Sequence, residues 1–348
     1  MTIQQTYMLR CIELARLGAG NVAPNPMVGA ILVCEDRILG EGYHEKYGEA
    51  HAEPNCIKSV TEEDRDLIQR ATMYVSLEPC SHFGKTPPCA DLIIKSKIPR
   101  VVIGCRDTYK EVSGKGIEKL KAAGIEVEVG ILENECKELN KRFFCFHERH
   151  RPYVVLKWAQ TANGKIAGSG DRLYITNEFT NRLVHKWRSE EAAILVGTNT
   201  ALTDNPSLTT RHWKGNNPTR LVADMDLKLP ASLKLFNGEA RTIVFNKIKH
   251  EDNGKIFYYQ VSEDTSLVHQ IAHALYQLKL QSLMVEGGAR LLQSFIDEEM
   301  WDEARVISNE ELIIHGGLGA PVLSNQKLVN SKKIFSDQIR TYRNAVQS

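Results

Sequence analysis

The sequence predicts an α/β protein with two domains. Strand-like apolar runs alternate with helical patterns in both halves of the chain, and this alternation is typical of sheets covered by helices on both faces. At 348 residues the chain is long for one hydrophobic core and comfortable for two. A charged stretch from Cys145 to Pro152 separates the two patterns, so we place the domains at residues 1–147 and 151–348.

The first half opens with an amphipathic segment at residues 3–17, whose apolar side chains recur at helical spacing. The rigid turn Pro24-Asn25-Pro26 leads into a strand at 28–34, and Asp36-Arg37 turns the chain into a second strand. The elements that follow alternate regularly and predict a mostly parallel sheet. They are strands at 71–77, 100–104 and 125–129, and helices at 90–97, 116–123 and 132–146.

The second half repeats this alternation with apolar segments of its own. Its expected strands lie at 153–158, 192–196, 220–224, 241–245, 255–259 and 282–285, and its helices at 177–189, 266–279 and 289–298. No Gly-x-Gly-x-x-Gly follows a strand, so a dinucleotide would not be held in the usual Rossmann manner. We assign no site to the segment after Gly319.

Composition argues against several classes of protein. Hydrophobic residues make up 42% and charged residues 25%, as in ordinary globular domains. Lys and Arg total 44 against 43 for Asp and Glu, so no bulk charge attracts nucleic acid, and we expect none as a partner. No apolar run approaches the roughly 20 residues that cross a bilayer. Because the first 18 residues also lack an apolar signal core, we expect a cytoplasmic protein without a membrane partner.

A zinc-site pattern lies in the first half. His51, Cys80 and Cys89 offer one imidazole and two thiolates, and three protein ligands leave a fourth position for water, as in catalytic zinc sites. Glu53 would carry protons, because zinc lowers the pKa of bound water to about 7 and a nearby carboxylate can pass its proton to a departing amine. His-x-Glu followed by Pro-Cys and a second Cys is the pattern of the nucleobase deaminases.

Polar residues near this pattern are candidate substrate contacts. Asn25 lies between two prolines, where its amide either bonds local backbone as a turn residue or contacts a polar ring edge of the substrate. Lys85 and Thr86 lie in the loop between the two cysteines, where a cation and a hydroxyl suit an anionic group such as phosphate. The alternative for Lys85 is a solvated loop residue.

Two stretches of the second half could bind anions. Glu286-Gly287-Gly288 joins a strand to a helix, where backbone N–H groups can receive a phosphate, although two glycines also suit a plain tight turn. The stretch 197–211 is expected to be a loop, and it combines hydroxyls, Asp204 and Arg211. Arg188 and Arg211 are either clamps for an anionic substrate or partners in surface salt bridges.

Four motifs can be compared with known families: PNPMVG at 24–29, GYH at 42–44, GEAHAE at 48–53 and EPCSHFGKTPPCAD at 78–91. Together they resemble the bifunctional deaminase/reductase family of riboflavin biosynthesis, and the resemblance covers nearly the whole chain. The eight-residue gap between the two cysteines differs from the two-residue gap of cytidine, guanine and tRNA adenosine deaminases.

The resemblance implies a fold and an activity for each half. The N-terminal domain would be a cytidine-deaminase-like three-layer domain that deaminates 2,5-diamino-6-(5-phosphoribosylamino)pyrimidin-4(3H)-one. The C-terminal domain would be a dihydrofolate-reductase-like α/β domain that reduces the ribosyl group to ribityl with NADPH. A homo-oligomer is also expected.

Site residues follow from the same resemblance. Zinc would bind His51, Cys80 and Cys89, with Glu53 as the catalytic acid/base. Substrate contacts of the deaminase would be Asn25, His44, Lys85 and Thr86. Contacts to NADPH would come from Tyr174, Thr200, Asp204 and Gly288. Contacts to the reductase substrate would come from Arg172, Arg188, Leu208, Arg211 and Glu286.

Two other hypotheses remain open from the sequence. In one, a zinc deaminase acts on another base or on nucleic acid, and the second domain is a binding module. In the other, the zinc is structural and the protein is not an enzyme. Tight RNA binding that weakens steeply with salt would favour the first, because phosphate contacts release counterions.

Overall fold

A computed structural model describes residues 1–83, 87–108, 113–168 and 174–347. The chain divides into two compact units, Met1–His150 and Arg151–Ser348. Each unit contains its own large sheet. No helix in the described ranges is long and apolar enough to cross a membrane.

The first unit contains a five-stranded sheet. Its strands are β1 (Gly29–Cys34), β2 (Arg37–Tyr43), β3 (Thr72–Leu77), β4 (Arg100–Cys105) and β5 (Glu126–Val129), and their order in the sheet is β2-β1-β3-β4-β5. Its helices are α1 (Ile3–Arg16), α2 (Ala52–Ser59), α3 (Cys89–Lys95), α4 (Lys115–Ala122), α5 (Glu133–Leu139) and α6 (Lys141–Arg149), with a 3-10 helix at Glu62–Arg70.

Helices cover both faces of this sheet. Successive strand residues point to opposite faces, so Leu32 of β1 joins one core while Ile31 joins the other. The core around Leu32 includes buried side chains of α2, α3 and α4. The core around Ile31 includes those of α1, α5 and α6. This is the three-layer arrangement expected for the N-terminal domain.

The second unit has a ten-stranded sheet and a two-stranded sheet. Its strands are β6 (Tyr153–Thr161), β7 (Lys165–Ala167), β8 (Ala193–Gly197), β9 (Thr219–Ala223), β10 (Thr242–Asn246), β11 (Glu251–Asp252), β12 (Ile256–Gln260), β13 (Ser282–Gly287), β14 (Glu303–Asn309), β15 (Leu318–Gly319), β16 (Gln326–Ile334) and β17 (Asp337–Asn344). Its helices are α7 (Glu178–Glu190), α8 (Thr198–Asp204), α9 (Leu267–Gln277) and α10 (Ala289–Asp297), with a 3-10 helix at Lys234–Phe236.

The large sheet has a parallel centre and antiparallel edges. Strands β12, β10, β9, β8, β13, β6 and β14 are parallel neighbours, and β11 closes one edge while β17 and β16 close the other. Helices α9 and α10 pack on one face, where Ile271 and Phe295 join the same core as Leu195 and Val285. The carboxyl ends of the parallel strands therefore meet along one edge.

The prediction of a mostly parallel sheet is wrong for the first unit. Strand β1 pairs antiparallel with both β2 and β3, whereas β3, β4 and β5 are parallel. The antiparallel pair arises because only the short turn at Glu35 and Asp36, both with positive φ, joins β1 to β2. A parallel pair needs a crossover of a dozen or more residues.

Three further elements differ from the sequence predictions. The helix expected at 132–146 is interrupted at Asn140, which separates α5 from α6. The stretch after Gly197 is not a loop throughout, because α8 contains both Thr200 and Asp204. Strand β14 and the hairpin of β16 and β17 were not predicted at all. Strand β14 is buried and β16 is exposed at nearly every position, so neither shows the alternation of a half-buried strand.

Candidate active sites

The first candidate site lies where β3 ends and two helices begin. His51 is the N-cap residue of α2, and Cys89 is the first residue of α3. The Nδ1 atom of His51 lies 3.6 Å from Cys80 Sγ and 3.4 Å from Cys89 Sγ. All three potential ligand atoms lie within 4.8 Å of one another. They could therefore hold one metal ion, with the imidazole binding through Nδ1.

The chemistry of these donors suits zinc. Two sulfur atoms and one imidazole nitrogen are the ligand types of catalytic and structural zinc sites alike. Hydrogen bonds from the Cys89 side chain, then from His51 and the Cys89 backbone, lower the pKa of the Cys80 thiol to about 4. The Cys89 backbone N–H lies 3.3 Å from Cys80 Sγ. The lowered pKa favours the thiolate form of Cys80, which is the form in which cysteine binds a metal.

Glu53 supplies a buried carboxyl beside this cluster. It lies in the first turn of α2, two residues after His51, and only 3% of it is exposed. Burial raises the pKa of the Glu53 carboxyl. A carboxyl with a raised pKa can accept and return a proton closer to neutral pH than an exposed one.

Asn25 and His44 form a hydrogen-bonded pair next to the cluster. The His44 Nδ1 atom lies 3.0 Å from the Ala50 carbonyl, so Nδ1 donates and Nε2 is left to accept from the Asn25 amide at 3.3 Å. Burial lowers the pKa of His44, which favours this neutral ring. The His44 ring also packs edge-on against His51, with centroids 5.1 Å apart. Lys85 and Thr86 lie outside the described residues.

Sequence reasoning missed the residue that holds the Asn25 turn in place. Asn140, buried between α5 and α6, accepts a hydrogen bond from the Met27 N–H and donates one to the Met27 carbonyl, each at 2.8 Å. The signal in the sequence was weak, since an asparagine inside a helical pattern is usually just a poor helix former.

In the second unit, a buried ion pair joins α7 to the end of β13. Arg188 donates two hydrogen bonds to the Glu286 carboxylate, at 2.8 Å and 2.6 Å, and a third to the Thr209 carbonyl at 3.3 Å. Burial opposes ionisation of Glu286, but the charges of Arg188 and Lys157 lower its pKa to about 2. The two residues predicted to contact the substrate are therefore bonded to each other.

Two basic residues of this region were not predicted. Lys157 lies on β6, and burial lowers its pKa. His185 lies one helical turn before Arg188, and burial followed by the charges of Arg188 and Arg211 lowers its pKa to about 4. A lysine inside an apolar strand run was the available signal for Lys157, since such residues are rarely buried without a partner.

Thr200 and Gly288 of the predicted cofactor set lie close together. The Thr200 side chain packs so tightly on Gly287 that a Cβ there would lie 2.7 Å from its methyl carbon. Gly288, with a φ of 84°, is the N-cap residue of α10. Backbone N–H groups at such a helix start can bind phosphate. Asp204 ends α8, and Tyr174 is 76% exposed.

Arg211 borders an open cavity of about 450 Å³. Among the residues that the structure describes, the cavity lining contains no acidic residue and consists of Arg182, Arg211, His212, Trp213 and Lys214. Leu208, by contrast, is buried and has a left-handed φ of 51°. Arg172 lies outside the described ranges, so the structure does not place it.

Comparison with known proteins bears on the whole chain. Residues 152–348 match the RibD C-terminal domain family, and residues 1–105 match the zinc-binding region of cytidine and deoxycytidylate deaminases. The riboflavin biosynthesis protein RibD of Aquifex aeolicus is 42% identical over 344 residues, which is 95% of each chain. That of Bacillus amyloliquefaciens is 39% identical over 341 residues, covering 95% of this chain and 90% of the relative. The chain belongs to the RibD family.

Solved structures of RibD proteins agree with this assignment. The diaminohydroxyphosphoribosylaminopyrimidine deaminase/5-amino-6-(5-phosphoribosylamino)uracil reductase of Thermotoga maritima is 38% identical and superimposes with a TM-score of 0.89, over 98% of this chain and 99% of that one. RibD of Acinetobacter baumannii is 30% identical, with a TM-score of 0.88 and 98% coverage of both chains.

These matches confirm the predicted family, the two-part α/β fold class and a bifunctional enzyme of the RibD type that uses zinc and NADPH. They do not favour the alternative of a nucleic-acid deaminase with a binding module.

The Arg188–Glu286 pair generates the first testable prediction. Arg188→Met leaves the Glu286 carboxylate buried without its partner, so the free energy of unfolding of the second unit should fall by about 3 to 5 kcal/mol. Urea unfolding followed by tryptophan fluorescence measures this change, because the 4 tryptophans, at 158, 187, 213 and 301, all lie in that unit. Lys214→Met, which removes an exposed cation, should change stability by less than about 0.5 kcal/mol.

The stability that the Arg188–Glu286 pair contributes should depend on pH. The pKa of Glu286 is about 2 in the folded protein against 4.5 ordinarily, so its stabilisation is complete above pH 4.5 and is lost as pH falls towards 2. An Arg188→Met/Glu286→Leu double variant should recover most of the stability that Arg188→Met loses. Its stability should not fall in this way as the pH decreases. Equal acid sensitivity of the wild type and the double variant would contradict the assignment.

Proposed function

We propose that the chain catalyses two successive steps of riboflavin biosynthesis, with the deaminase in residues 1–147 and the reductase in 151–348. The first removes ammonia hydrolytically from 2,5-diamino-6-(5-phosphoribosylamino)pyrimidin-4(3H)-one. The second reduces the ribosyl side chain to ribityl with NADPH. The single observation that carries the first step is the convergence of His51 Nδ1, Cys80 Sγ and Cys89 Sγ within 4.8 Å, beside the buried Glu53.

The residues of the first unit suit a hydrolytic deamination. Bound at His51, Cys80 and Cys89, zinc would supply an activated water at neutral pH. Glu53 would accept a proton from this water and return it to the departing amine, a task for which its raised pKa is suited. The Asn25 amide, oriented by His44, offers a hydrogen-bonding group for the pyrimidine. Lys85 and Thr86 are proposed for the phosphoribosyl arm.

The residues of the second unit suit cofactor and substrate held at the carboxyl ends of parallel strands. Ligands of open α/β sheets bind at this edge. Thr200, Asp204 and Gly288 follow β8 and β13 there, and we assign them, with Tyr174, to NADPH. The reductase substrate would contact Arg172, Arg188, Leu208, Arg211 and Glu286. The basic cavity beside Arg211 supports a phosphorylated substrate, because a dianion is stabilised by neighbouring guanidinium groups.

We also propose that the enzyme is a cytoplasmic homo-oligomer. None of the eight cysteines, all of which lie in the described ranges, forms a disulfide, as is usual for proteins of a reducing compartment. Strand β16 lies at a sheet edge and is exposed at nearly every position, including the apolar side chains of Leu328 and Val329. Exposed apolar edge strands are typically covered by another chain.

Glu53→Gln should abolish release of ammonia from the diaminopyrimidine phosphate, because an amide cannot carry the proton. Zinc content, measured by atomic absorption, should remain at one ion per chain, and NADPH oxidation with the deaminated substrate should be unchanged. Ammonia release at more than about 1% of the wild-type rate would contradict the role of Glu53, since general acid–base groups contribute about 10²- to 10⁴-fold.

Arg211→Ala should leave ammonia release intact and weaken reduction. We expect KM for the reductase substrate to rise about 10- to 100-fold, since a lost charge-assisted hydrogen bond is worth about 1.5 to 3 kcal/mol. Arg241→Ala, which removes an exposed arginine elsewhere in the same unit, is the matched control. If Arg211→Ala reduces both activities equally, the two sites are not separate.

The proposed oligomer can be tested by light scattering coupled to size exclusion. The wild type should elute with at least twice the mass of one chain. Leu328→Glu with Val329→Lys places charges on β16 and should shift the mass towards that of a single chain. A wild type that is monomeric at micromolar concentration would contradict the proposal.

A further inference from the structure

The residue just before the Pro79-Cys80 pair is a buried glutamate with an unusual set of partners. Glu78 is 4% exposed, and its carboxylate accepts hydrogen bonds from backbone N–H groups alone among the contacts described. One carboxylate oxygen accepts from Gly116 at 3.0 Å and Ile117 at 3.3 Å. The other accepts from Gly114 at 3.1 Å and Asp107 at 3.3 Å.

These donors belong to the start of α4 and the segment leading to it. The N–H groups of Gly116 and Ile117 lie in the first turn of the helix, where no intrahelical acceptor is available. The negative charge of Glu78 also lies at the positive end of the helix dipole. The side chain of Glu78 thus ties the chain after β3 to the N-terminus of α4.

A second and independent contact joins the same two segments. Gly116 lies so close to the Pro79 carbonyl that an added Cβ would be 2.1 Å from the Pro79 oxygen and 3.3 Å from Glu78 Cγ. A carbon and an oxygen that are not bonded do not approach to 2.1 Å, so any side chain at position 116 must displace the Pro79 carbonyl. The backbone of Pro79 is therefore seated directly on the start of α4.

Cys80 follows immediately and is held on its other side by α3. Its carbonyl accepts a hydrogen bond from the Ala90 N–H at 3.1 Å, and its Sγ accepts from the Cys89 N–H at 3.3 Å. The position of Cys80 is thus set between the N-termini of two helices. Neither Glu78 nor Gly116 is among the predicted ligands, which are His51, Cys80 and Cys89.

We propose that the N-terminus of α4 positions the Cys80 thiolate for the metal, with Glu78 and Gly116 as positioning residues. The inference rests on the proposed zinc site but not on the identity of the pyrimidine substrate. Residues that orient metal ligands commonly change metal affinity or activity by about 10- to 100-fold when they are replaced. If Glu78 served only to stabilise the fold, its replacement would lower the free energy of unfolding without changing the metal centre.

The test uses the full-length zinc-loaded enzyme and two variants that disturb the same contact differently. Glu78→Gln directs an amide NH₂ group at two backbone N–H donors, and Gly116→Ala pushes a methyl group into the Pro79 carbonyl. Both variants should lose zinc to a chromogenic chelator about 10- to 100-fold faster than the wild type. After replacement of zinc by Co²⁺, both should shift the thiolate-to-cobalt absorption bands, which report the metal–sulfur geometry directly.

Two control variants separate positioning from general destabilisation. Gly124→Ala strains the opposite end of α4, where φ is +80° and a Cβ would meet nothing within 4 Å. Glu128→Gln makes the same chemical change on β5 that Glu78→Gln makes after β3. Both controls should keep the wild-type zinc-loss rate and cobalt spectrum, even if Gly124→Ala lowers the unfolding temperature. Reductase activity of every variant shows whether the second unit is intact.

The zinc-loss rates and cobalt spectra distinguish a positioning role of α4 from general stabilisation of the fold. Faster zinc loss and a shifted cobalt spectrum in both Glu78→Gln and Gly116→Ala, but in neither control, support the proposal. Wild-type zinc retention and spectra in either of the two variants overturn it, as does an equal effect of Gly124→Ala. If the wild type binds zinc tightly but releases no ammonia from the diaminopyrimidine phosphate, the proposed substrate is wrong, while the chelator and cobalt measurements still decide the role of α4.

Discussion

Both candidate sites depend on one constraint, which is that neighbouring parallel strands end at the same edge of a sheet. In the first unit, β3 and β4 end together, so the chain leaving β3 towards Cys80 meets the start of α4. In the second unit, β8 and β13 end together, which brings Thr200 against Gly287. Residues remote in sequence are therefore brought together by strand pairing, and each site needs only short segments beyond the strands to complete it.

Three buried glutamates show how differently a protein can accommodate a carboxyl group. Glu286 is paired with Arg188 and its pKa falls to about 2, so it remains charged in the folded protein. Glu78 is surrounded by backbone N–H donors and serves as a structural anion. Glu53 has no cationic side chain among its described hydrogen bonds, and burial raises its pKa. The raised pKa of Glu53, beside the three potential zinc ligands, suits it to acid–base chemistry.

The sequence predicted ligand types and spacing better than it predicted the surrounding structure. His51, Cys80 and Cys89 could be named because zinc accepts few residue types and because helix-start signals flank them. Glu78, Asn140 and Lys157 were missed, since their roles depend on backbone groups or charges distant in sequence and their sequence signals are weak at best. The interrupted helix at Asn140 and the antiparallel β1–β3 pair were missed for the same reason. Local patterns indicate helices and strands, but strand order and the partners of buried polar groups are set by tertiary contacts.

The Arg188–Glu286 ion pair limits how much Arg188 can attract a phosphorylated substrate. An arginine bonded on two sides to a buried carboxylate contributes little net charge to a ligand, because the pair as a whole is neutral. The positive potential of the proposed second site must then come mainly from the cavity around Arg211, where Arg182 and Lys214 also lie and where the described lining residues include no acid. A chain with a formal charge of only +1 can therefore bind a phosphate locally without attracting polyanions over its whole surface.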